Sequence, residues 1–123
     1  MERRIRDAQK SHQWLVAEEN ETIFGYAYGS RHRSREAYRK SCDVSVYVDP
    51  AYARRGIGRQ LYKVLLEEMK RRGMHAAFAG ITLPNEPSLA LHQAMGFTSI
   101  GIYREVGWKF GHWHDVQWLQ QAL

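Results

Sequence analysis

Short stretches of alternating apolar and polar residues dominate the first third of the chain. The segments "WLVAE" (14–18) and "IFGYAYGS" (23–30) predict two β-strands, and the turn-forming "ENET" between them predicts a hairpin. Residues 1–12 are polar with scattered apolar positions, which is typical of the end of a helix. We therefore expect the end of a helix followed by a β-hairpin.

The segment "SCDVSVYVDP" (41–50) predicts a third strand, which Pro50 ends. Because side chains alternate along a strand, this one has a polar face and an apolar face. The polar face carries Asp43, Ser45 and Tyr47, and the apolar face carries Val44, Val46 and Val48. The strand is therefore expected to present a carboxylate on the face opposite its valines.

Two later segments have the periodicity of helices. Residues 59–73, "RQLYKVLLEEMKRRG", carry a buried stripe and have Gly73 as the C-cap. The stripe consists of Leu61, Tyr62, Leu65, Leu66 and Met69. Residues 84–97, "PNEPSLALHQAMGF", predict a short helix between an N-cap at Asn85 and a C-cap at Gly96.

The remaining segments predict strands that complete an α/β fold. Residues 74–83 indicate a buried strand that is poor in charge, and residues 98–108 and 112–120 predict two more strands around "KFG". The order strand, helix, strand, helix, strand in the middle favours a mixed sheet with a central parallel pair. At 123 residues, without a repeat or linker, the chain is expected to form a single domain spanning residues 1–123.

Composition changes this picture by excluding some classes of protein. Hydrophobic residues make up 44% and charged residues 25%, and no apolar run approaches the roughly 20 residues of a membrane span. The charged start lacks the apolar region of a secretory signal, and the single cysteine, Cys42, cannot form an internal disulfide. We expect a cytoplasmic protein that makes no use of a membrane.

The net charge of +5 suits an anionic partner, such as nucleic acid, a membrane surface or a phosphorylated cofactor. The aromatic residues lie in sheet-like segments without an RNA-binding signature, so nucleic acid is the weaker interpretation. Charge alone does not choose between the others.

The stretch "VYVDPAYARRGIGR" (46–59) runs from a strand through a glycine loop into a helix. The first amides of a helix have no intrahelical partners and lie at the positive end of the helix dipole. Gly56 and Gly58 let those amides approach a phosphate closely. Positive charge is added by Arg54, Arg55 and Arg59. Alone, the stretch fits a phosphate site or a plain strand-to-helix turn.

Two common nucleotide-binding motifs are not matched by this loop. No Lys-Ser/Thr pair follows Gly58, as a P-loop requires, and Leu61 stands where the dinucleotide-binding fingerprint has a glycine. Both nucleotide interpretations are weakened accordingly.

Three separated motifs resemble the Gcn5-related N-acetyltransferase superfamily. Residues 46–73 resemble its acyl-coenzyme-A-binding segment, whose loop pattern is Gln/Arg-x-x-Gly-x-Gly/Ala after a strand. Residues 81–97, "ITLPNEPSLALHQAMGF", resemble the next strand and helix, with matching Asn85, Ser88, His92, Gly96 and Phe97. The closing "GWKFGHWHDVQWLQ" (107–120) is similar to the phosphinothricin and methionine sulfoximine acetyltransferase branch. The resemblance covers the chain from about Trp14 to near its C-terminus.

The resemblance implies an α/β fold with a mixed, mostly antiparallel sheet, flanking helices and a central parallel strand pair that splays apart. Acetyl-CoA would enter this gap, with its pantetheine along the backbone of Val46, Tyr47 and Val48 and bonded to Asn85. Its pyrophosphate would bind amides of Arg54, Arg55, Gly56, Ile57, Gly58 and Arg59. The acetyl group would pass to the primary amine of a small amino-acid-like acceptor, and no metal is implied.

An amine attacks only when it is neutral, so a base must lie within its reach. The resemblance implies Asp43 as this base, His92 as an acid or part of a base relay, and Tyr62 at the thiol end of the cofactor. It also implies that Arg35 and Tyr38 lie near an acceptor carboxylate. The alternatives are structural roles for Asp43 and His92 and an exposed charged loop around Arg35.

The chain departs from the family pattern in three ways. Ala53 stands where Gln or Arg opens the loop motif, and Asp43 replaces a glutamate and so shortens the reach by one methylene. The strand and one or two helices that usually precede "SHQWLVAEE" (11–19) are expected to be missing, so the domain would be N-terminally shortened. Exposed apolar sheet surface would then favour a homodimer. The alternative to an enzyme is a non-catalytic CoA-binding or protein-interaction module.

Two other groups of residues suggest different chemistry, namely a metal site and a cysteine nucleophile. His112 and His114 share one strand face beside Asp115, which suits a metal, but no third ligand is spaced nearby. Cys42 has no evident activating partner, which favours a packing role over a nucleophile. The other interpretation of the two histidines is an interface with the surrounding aromatics Trp108, Phe110, Trp113 and Trp118.

Overall fold

The computed structural model describes residues 4–9, 14–19, 22–32, 36–52 and 55–123. These residues form seven strands: β1 (Arg4–Gln9), β2 (Trp14–Glu19), β3 (Thr22–Arg31), β4 (Ser41–Val48), β5 (Ala76–Thr82), β6 (Thr98–Lys109) and β7 (His112–Ala122). They also form two α-helices, α1 (Ile57–Arg71) and α2 (Glu86–Ala94), and two short 3₁₀ helices, Glu36–Tyr38 and Pro50–Tyr52. Neither α-helix is long and apolar enough to cross a membrane.

The seven strands form one sheet in the order β1-β2-β3-β4-β5-β7-β6. All neighbouring strands are antiparallel except β4 and β5, which are parallel and are joined through α1. This arrangement confirms the predicted mixed sheet with a central parallel pair. The predicted hairpin of β2 and β3 and the two closing strands are also confirmed.

The central strands separate soon after they pair. The β4–β5 ladder has only three rungs, from Ser41↔Ala76 to Asp43↔Phe78. Beyond Asp43, β4 continues to Val48 in register with β3 alone, while β5 continues in register with β7 alone. The splay implied by the family resemblance is therefore present, and it begins immediately after Asp43.

Helix α1 covers one face of the sheet and supplies much of the core. Its predicted stripe is buried in full, and Ile57 at its start is also buried, with 2% of its surface exposed. The sheet beneath the helix uses small residues, and a Cβ added to Gly29 would come 3.1 Å from Sδ of Met69. The helix can therefore approach the strands closely. The buried partners on the sheet include Leu15, Ala17, Ala27, Cys42, Val44, Ala77 and Ala79.

The start of the chain differs from the prediction. Arg4–Gln9 is not the end of a helix but an edge strand that pairs antiparallel with β2, from Arg4↔Glu18 to Gln9↔Trp14. An edge strand needs little apolar surface, so its polar sequence carries no clear alternation. Ile5 packs against the core, and pairing with β2 sets the conformation of the segment.

The helix boundaries are close to those predicted. Helix α1 begins at Ile57, two residues before the predicted start, because Gly56 adopts a left-handed conformation with φ of 72° and acts as the N-cap. Asn85 caps α2 as expected, since its side chain accepts a hydrogen bond from the Ser88 amide. The predicted C-terminal glycines, Gly73 and Gly96, both have positive φ and follow the last helical turns.

Strand β6 lies at the sheet edge and is exposed along almost its whole length. Many of its apolar side chains, and those of the hairpin that follows, therefore face solvent in the single chain. We call this set the β6–β7 apolar surface. It consists of Ile100, Ile102, Tyr103, Val106, Trp108, Phe110 and Trp113.

Candidate active site

The two faces of the sheet carry different groups of candidate residues. Cys42 and Val44 are buried on the face that α1 covers, so the alternation of β4 places Asp43 on the other face, which we call the opposite face. Helix α2 contacts α1 through Tyr62 and His92 and so lies on the covered face. Neither described helix covers Asp43.

A cavity of about 220 Å³ opens where β4 and β5 separate. Both strands and both helices contribute to its walls, and four predicted site residues, Val46, Tyr62, Asn85 and His92, lie among them. The complete lining is Val44, Ser45, Val46, Tyr62, Ala79, Gly80, Ile81, Thr82, Asn85, Ser88 and His92. The splayed strands thus form a slot between the two faces of the sheet.

The backbone of β4 along this slot is suited to hold an extended ligand. Because the β4–β5 ladder ends at Asp43, the part of β4 from Ser45 to Val48 has no strand partner on its β5 side. Val46 lines the cavity, Val48 is half-buried, and Tyr47 points to the opposite face, where its ring stacks on Tyr26 at 5.5 Å. Main-chain groups there can bond an extended arm as a strand would.

The start of α1 lies at the far end of the same strand. A Cβ added to Gly58 would come 3.8 Å from Cγ2 of Val48, so the first turn of the helix adjoins the end of β4. Among the residues that the structure describes, no side chain caps the helix, and a Cβ added to Gly56 would meet nothing within 4 Å. The first amides of α1 therefore border open space, as a pyrophosphate group requires.

Basic side chains surround this helix terminus. Arg59 is exposed in the first turn, and the Arg55 guanidinium lies 5.0 Å from the centre of the Tyr52 ring. Ile57 contributes its side chain to the core, so only its backbone could serve a ligand. Arg54 and Ala53 lie outside the described residues.

Tyr62 and His92 form a hydrogen-bonded pair beside the cavity. Nδ1 of His92 lies 2.7 Å from the carbonyl oxygen of Ser88, which can only accept, so this nitrogen carries the hydrogen. Nε2 then accepts a 2.6 Å hydrogen bond from the Tyr62 hydroxyl. Burial lowers the pKa of His92 and raises the pKa of Tyr62, so both groups are neutral at pH 7.

Asp43 bonds to a histidine other than His92. Nδ1 of His32 donates a 2.5 Å hydrogen bond to Oδ1 of Asp43, and both side chains are partly exposed. The His32 ring stacks on Phe78 at 4.3 Å and meets Trp118 edge-on at 6.2 Å. Asp43 therefore belongs to an aromatic-lined cluster on the opposite face, whereas His92 belongs to the covered face.

The other predicted ligand residues have separate positions. Oδ1 of Asn85 is 3.2 Å from the Ser88 amide, so one atom of this side chain caps α2 while the residue lines the cavity. Tyr38 is exposed in the 3₁₀ helix Glu36–Tyr38. Arg35 lies outside the described residues.

Neither of the other two groups forms an evident reactive site. The His112 and His114 rings lie 4.2 Å apart, and Nε2 of His114 donates to the carbonyl oxygen of Lys109. Among the described residues, no group of three or more His, Cys, Asp or Glu side chains could hold a metal ion. Burial raises the pKa of the Cys42 thiol to about 11, so the thiolate that a nucleophile requires is disfavoured.

The catalytic and ligand-binding residues predicted from the sequence did not include His32, Phe78 or Trp118. The signal for His32 lies in the register of the hairpin: Ser30 pairs with Asp43, and every second residue of β3 shares its face. Extending that alternation by one step places His32 beside Asp43. Phe78 and Trp118 become evident only after β5 and β7 are paired.

A profile of the acetyltransferase (GNAT) family matches residues 1–97. A phosphinothricin N-acetyltransferase from Streptomyces coelicolor is 45% identical over 105 residues, which are 85% of this chain and 61% of that protein. An L-methionine sulfoximine/L-methionine sulfone acetyltransferase from Salmonella typhimurium is 41% identical over 109 residues, 89% of this chain and 64% of that protein. The chain thus spans less than two thirds of the length of these two relatives.

Solved structures agree with the sequence matches. The crystal structure of a GNAT-superfamily phosphinothricin acetyltransferase from Sinorhizobium meliloti, in complex with AcCoA, has a TM-score of 0.86 and 34% identity. The similarity covers 92% of this chain and 62% of that one. Together with the splayed strand pair and the glycine loop at the start of α1, these matches lead to one conclusion: the chain belongs to the acetyltransferase (GNAT) family.

Proposed function

We propose that the chain transfers an acetyl group from acetyl-CoA to the primary amine of a small, amino-acid-like acceptor of the phosphinothricin or methionine sulfoximine type. The observation that carries the proposal is the path along β4, which borders the slot at Val46 and adjoins the first turn of α1 at Val48. One end of this path is lined with polar side chains and the other with helix amides. The names of the relatives support the choice of acceptor.

Acetyl-CoA fits the two ends of this path through different chemistry. The open space at Gly56 suits a pyrophosphate on the first amides of α1, with Arg54, Arg55 and Arg59 adding charge. The slot suits a pantetheine arm along the backbone of Val46–Val48, within reach of Asn85. When bound, acetyl-CoA supplies an acetyl group already activated as a thioester.

The two hydrogen-bonded pairs suit the two halves of the reaction. Asp43 lies on the last rung of the β4–β5 ladder, and we assign to it the side of the reaction at which the acceptor amine loses its proton. The Tyr62 hydroxyl lines the cavity and stays protonated, and its one hydrogen would turn from Nε2 of His92 to the leaving sulfur when acetyl-CoA is bound. We infer that His92 acts through Tyr62.

The acceptor would bind on the opposite face of the sheet, which carries Asp43. Phe78 lies beside Asp43 on this face, and Tyr26 and Tyr47 add aromatic side chains further along β3 and β4. Arg35 and Tyr38 remain our candidates for holding the carboxylate of the acceptor, as the family resemblance implies. The chain's positive charge suits an anionic acceptor as well as an anionic cofactor.

We also propose a cytoplasmic homodimer. The β6–β7 apolar surface is extensive for a monomer, and a second copy of the chain is the occupant that we assign to it. The single buried thiol of Cys42 is in keeping with a reducing compartment. Sedimentation velocity should give twice the chain mass, and Phe110→Ser should shift the population toward monomer. A wild-type monomer at high concentration would contradict the dimer.

The activity is tested by release of free thiol from acetyl-CoA with phosphinothricin, methionine sulfoximine or methionine sulfone. We expect turnover with at least one acceptor and a loss of about 10²-fold in Asp43→Ala and His92→Ala. His75→Ala, which changes an exposed histidine outside the cavity, is the matched control and should keep its activity. Coenzyme A binding without turnover of any amine would favour the non-catalytic module, and unchanged rates in both variants would refute the assigned roles.

A further inference from the structure

His32 is held on several sides. Its backbone amide donates a 3.3 Å hydrogen bond to the Ser41 carbonyl oxygen, which extends the β3–β4 ladder by one step. Its ring bonds to Asp43 and lies nearly parallel to Phe78, with 22° between the two planes. The Trp118 ring stands almost perpendicular to it, at 85°. The position of the imidazole is therefore set by three strands.

The imidazole lies beside the last rung of the β4–β5 ladder. Phe78, on which it stacks, is the last residue of β5 that pairs with β4, and its partner on that rung is Asp43. Trp118 lies opposite Gly80, the cavity-lining residue two positions further along β5. The ring therefore occupies the opposite face just where the strands separate.

The hydrogen bond with Asp43 sets the chemistry of the ring. A carboxylate only accepts, so Nδ1 carries the hydrogen and the neutral tautomer has its basic lone pair on Nε2. Histidine is the side chain that most often serves as a general base, and the lone pair on Nε2 is the atom that would take the proton. The carboxylate in turn stabilises the imidazolium that forms.

We propose that His32, oriented by Asp43, is the catalytic base that takes the proton of the acceptor amine. This inference rests on the proposed N-acetyltransferase function and refines it, because Asp43 becomes a positioning residue. The ring also lengthens the reach of the shorter aspartate side chain. A His–Asp pair thus replaces a carboxylate acting alone.

The step balances without any further reagent. The nitrogen of the neutral amine forms a bond to the acetyl carbon, and its N–H proton passes to Nε2 of His32. The C–S bond breaks, and its electron pair leaves with the sulfur of coenzyme A. The thiolate accepts a hydrogen bond from the Tyr62 hydroxyl, which keeps its proton. The imidazolium then gives its proton to solvent, and the thiolate takes one from solvent, so the products are an amide and a free thiol.

Three single variants, one double variant and a control test the role in the full chain. His32→Gln removes the base, His32→Phe removes it but keeps an aromatic ring against Phe78, and Asp43→Asn keeps the shape of the carboxylate while removing its ability to fix the tautomer. We expect kcat to fall about 10²-fold in each, with the affinity for coenzyme A within twofold of wild type. The double variant His32→Gln/Asp43→Asn should lose little more than either single variant, since the two residues act as one unit. His75→Gln should keep the wild-type kcat.

Chemical rescue separates a base from a packing residue. In His32→Ala, added imidazole and its methyl derivatives should restore turnover, and the rescued rate should rise with the basicity of the compound. Rescue that does not depend on basicity, or a His32→Phe variant with more than half of the wild-type kcat, would overturn the inference. A fall in kcat in Asp43→Asn but in neither His32 variant would assign the base to Asp43 and leave the proposed function intact. A wild-type chain that acetylates no amine would overturn both proposals.

Discussion

The hydroxyl of Tyr62 donates a 2.6 Å hydrogen bond to Nε2 of His92, and this bond joins helix α1 to helix α2 beside the cavity. Both residues are buried, with 0% and 3% of their surface exposed. The bond thus places a phenol in the wall of the proposed acetyl-CoA slot and holds the two helices together. Substitutions on either side of it should affect stability and turnover by separable amounts.

Tyr62→Phe removes the hydroxyl that donates to His92, so the buried Nε2 atom loses this hydrogen bond. We expect the free energy of unfolding to fall by about 1–3 kcal/mol, the usual cost of an unsatisfied buried polar group. Turnover should fall more than the affinity for coenzyme A, because only the hydroxyl near the sulfur is lost. Urea unfolding and thiol release measure the two effects. Tyr103→Phe, at an exposed tyrosine, should change neither, and a Tyr62→Phe variant as stable as wild type would contradict the bond's structural role.

Stability at acid pH should depend on His92. Its pKa in the folded chain is lowered, mainly by burial, below the ordinary value of 6.5. Between the lowered pKa of the folded chain and 6.5, the unfolded chain binds more protons than the folded chain does. The stability that neutral His92 contributes is therefore fully present above about pH 6.5 and is lost as the pH falls below that value. Melting temperatures from pH 8 to 5 should decline less steeply in His92→Gln than in wild type. Parallel curves for the two proteins would show that His92 does not contribute.

Much of the fold could be predicted because it depends on local periodicity. The stripe from Leu61 to Met69 repeats every three to four residues and predicts α1 without tertiary information. Asn85 is likewise predictable as a cap from residue type and position. β1 could not be identified in this way, since a polar edge strand takes its conformation from pairing with β2.

The candidate site also contains residues that local patterns predict and contacts that only the folded structure reveals. Tyr62 and His92 were identifiable from motif spacing, yet the bond between them depends on how two helices pack. His32 and Asp43 are 11 positions apart, and their contact depends on the register of a hairpin rather than on any motif. Trp118 reaches the site from the last strand, a contact that no local pattern encodes.

The glycines at the two ends of α1 give a matched test of the pyrophosphate site. Gly56 and Gly73 have φ of 72° and 85°, and a Cβ added to either would meet nothing within 4 Å. Alanine at either position should therefore cost about 1 kcal/mol, from the left-handed conformation alone. Only Gly56→Ala should also weaken binding of coenzyme A, since its Cβ would occupy the space in front of the first amides. Calorimetric titration and thermal melting measure both quantities, and equal affinities for coenzyme A in the two variants would argue against a pyrophosphate at Gly56.

Two glycines that flank Trp118 test whether this indole supports the site. Gly80 on β5 and Gly101 on β6 both pair with Trp118, but only a Cβ on Gly80 would strike the ring, at 3.0 Å from Cζ2. Gly80→Ala must therefore displace the indole, at a cost of about 1–3 kcal/mol for overpacking.

A Cβ on Gly101 meets nothing within 4 Å, so Gly101→Ala should leave stability within about 0.5 kcal/mol of wild type. Trp118 also meets the His32 ring edge-on, so displacement of the indole should loosen the imidazole. Turnover should therefore fall in Gly80→Ala and stay unchanged in Gly101→Ala. Near-ultraviolet circular dichroism would report the movement of the indole, and thiol release would report the rate. A Gly80→Ala variant with an altered tryptophan spectrum and full turnover would show that the packing of Trp118 does not matter to the reaction.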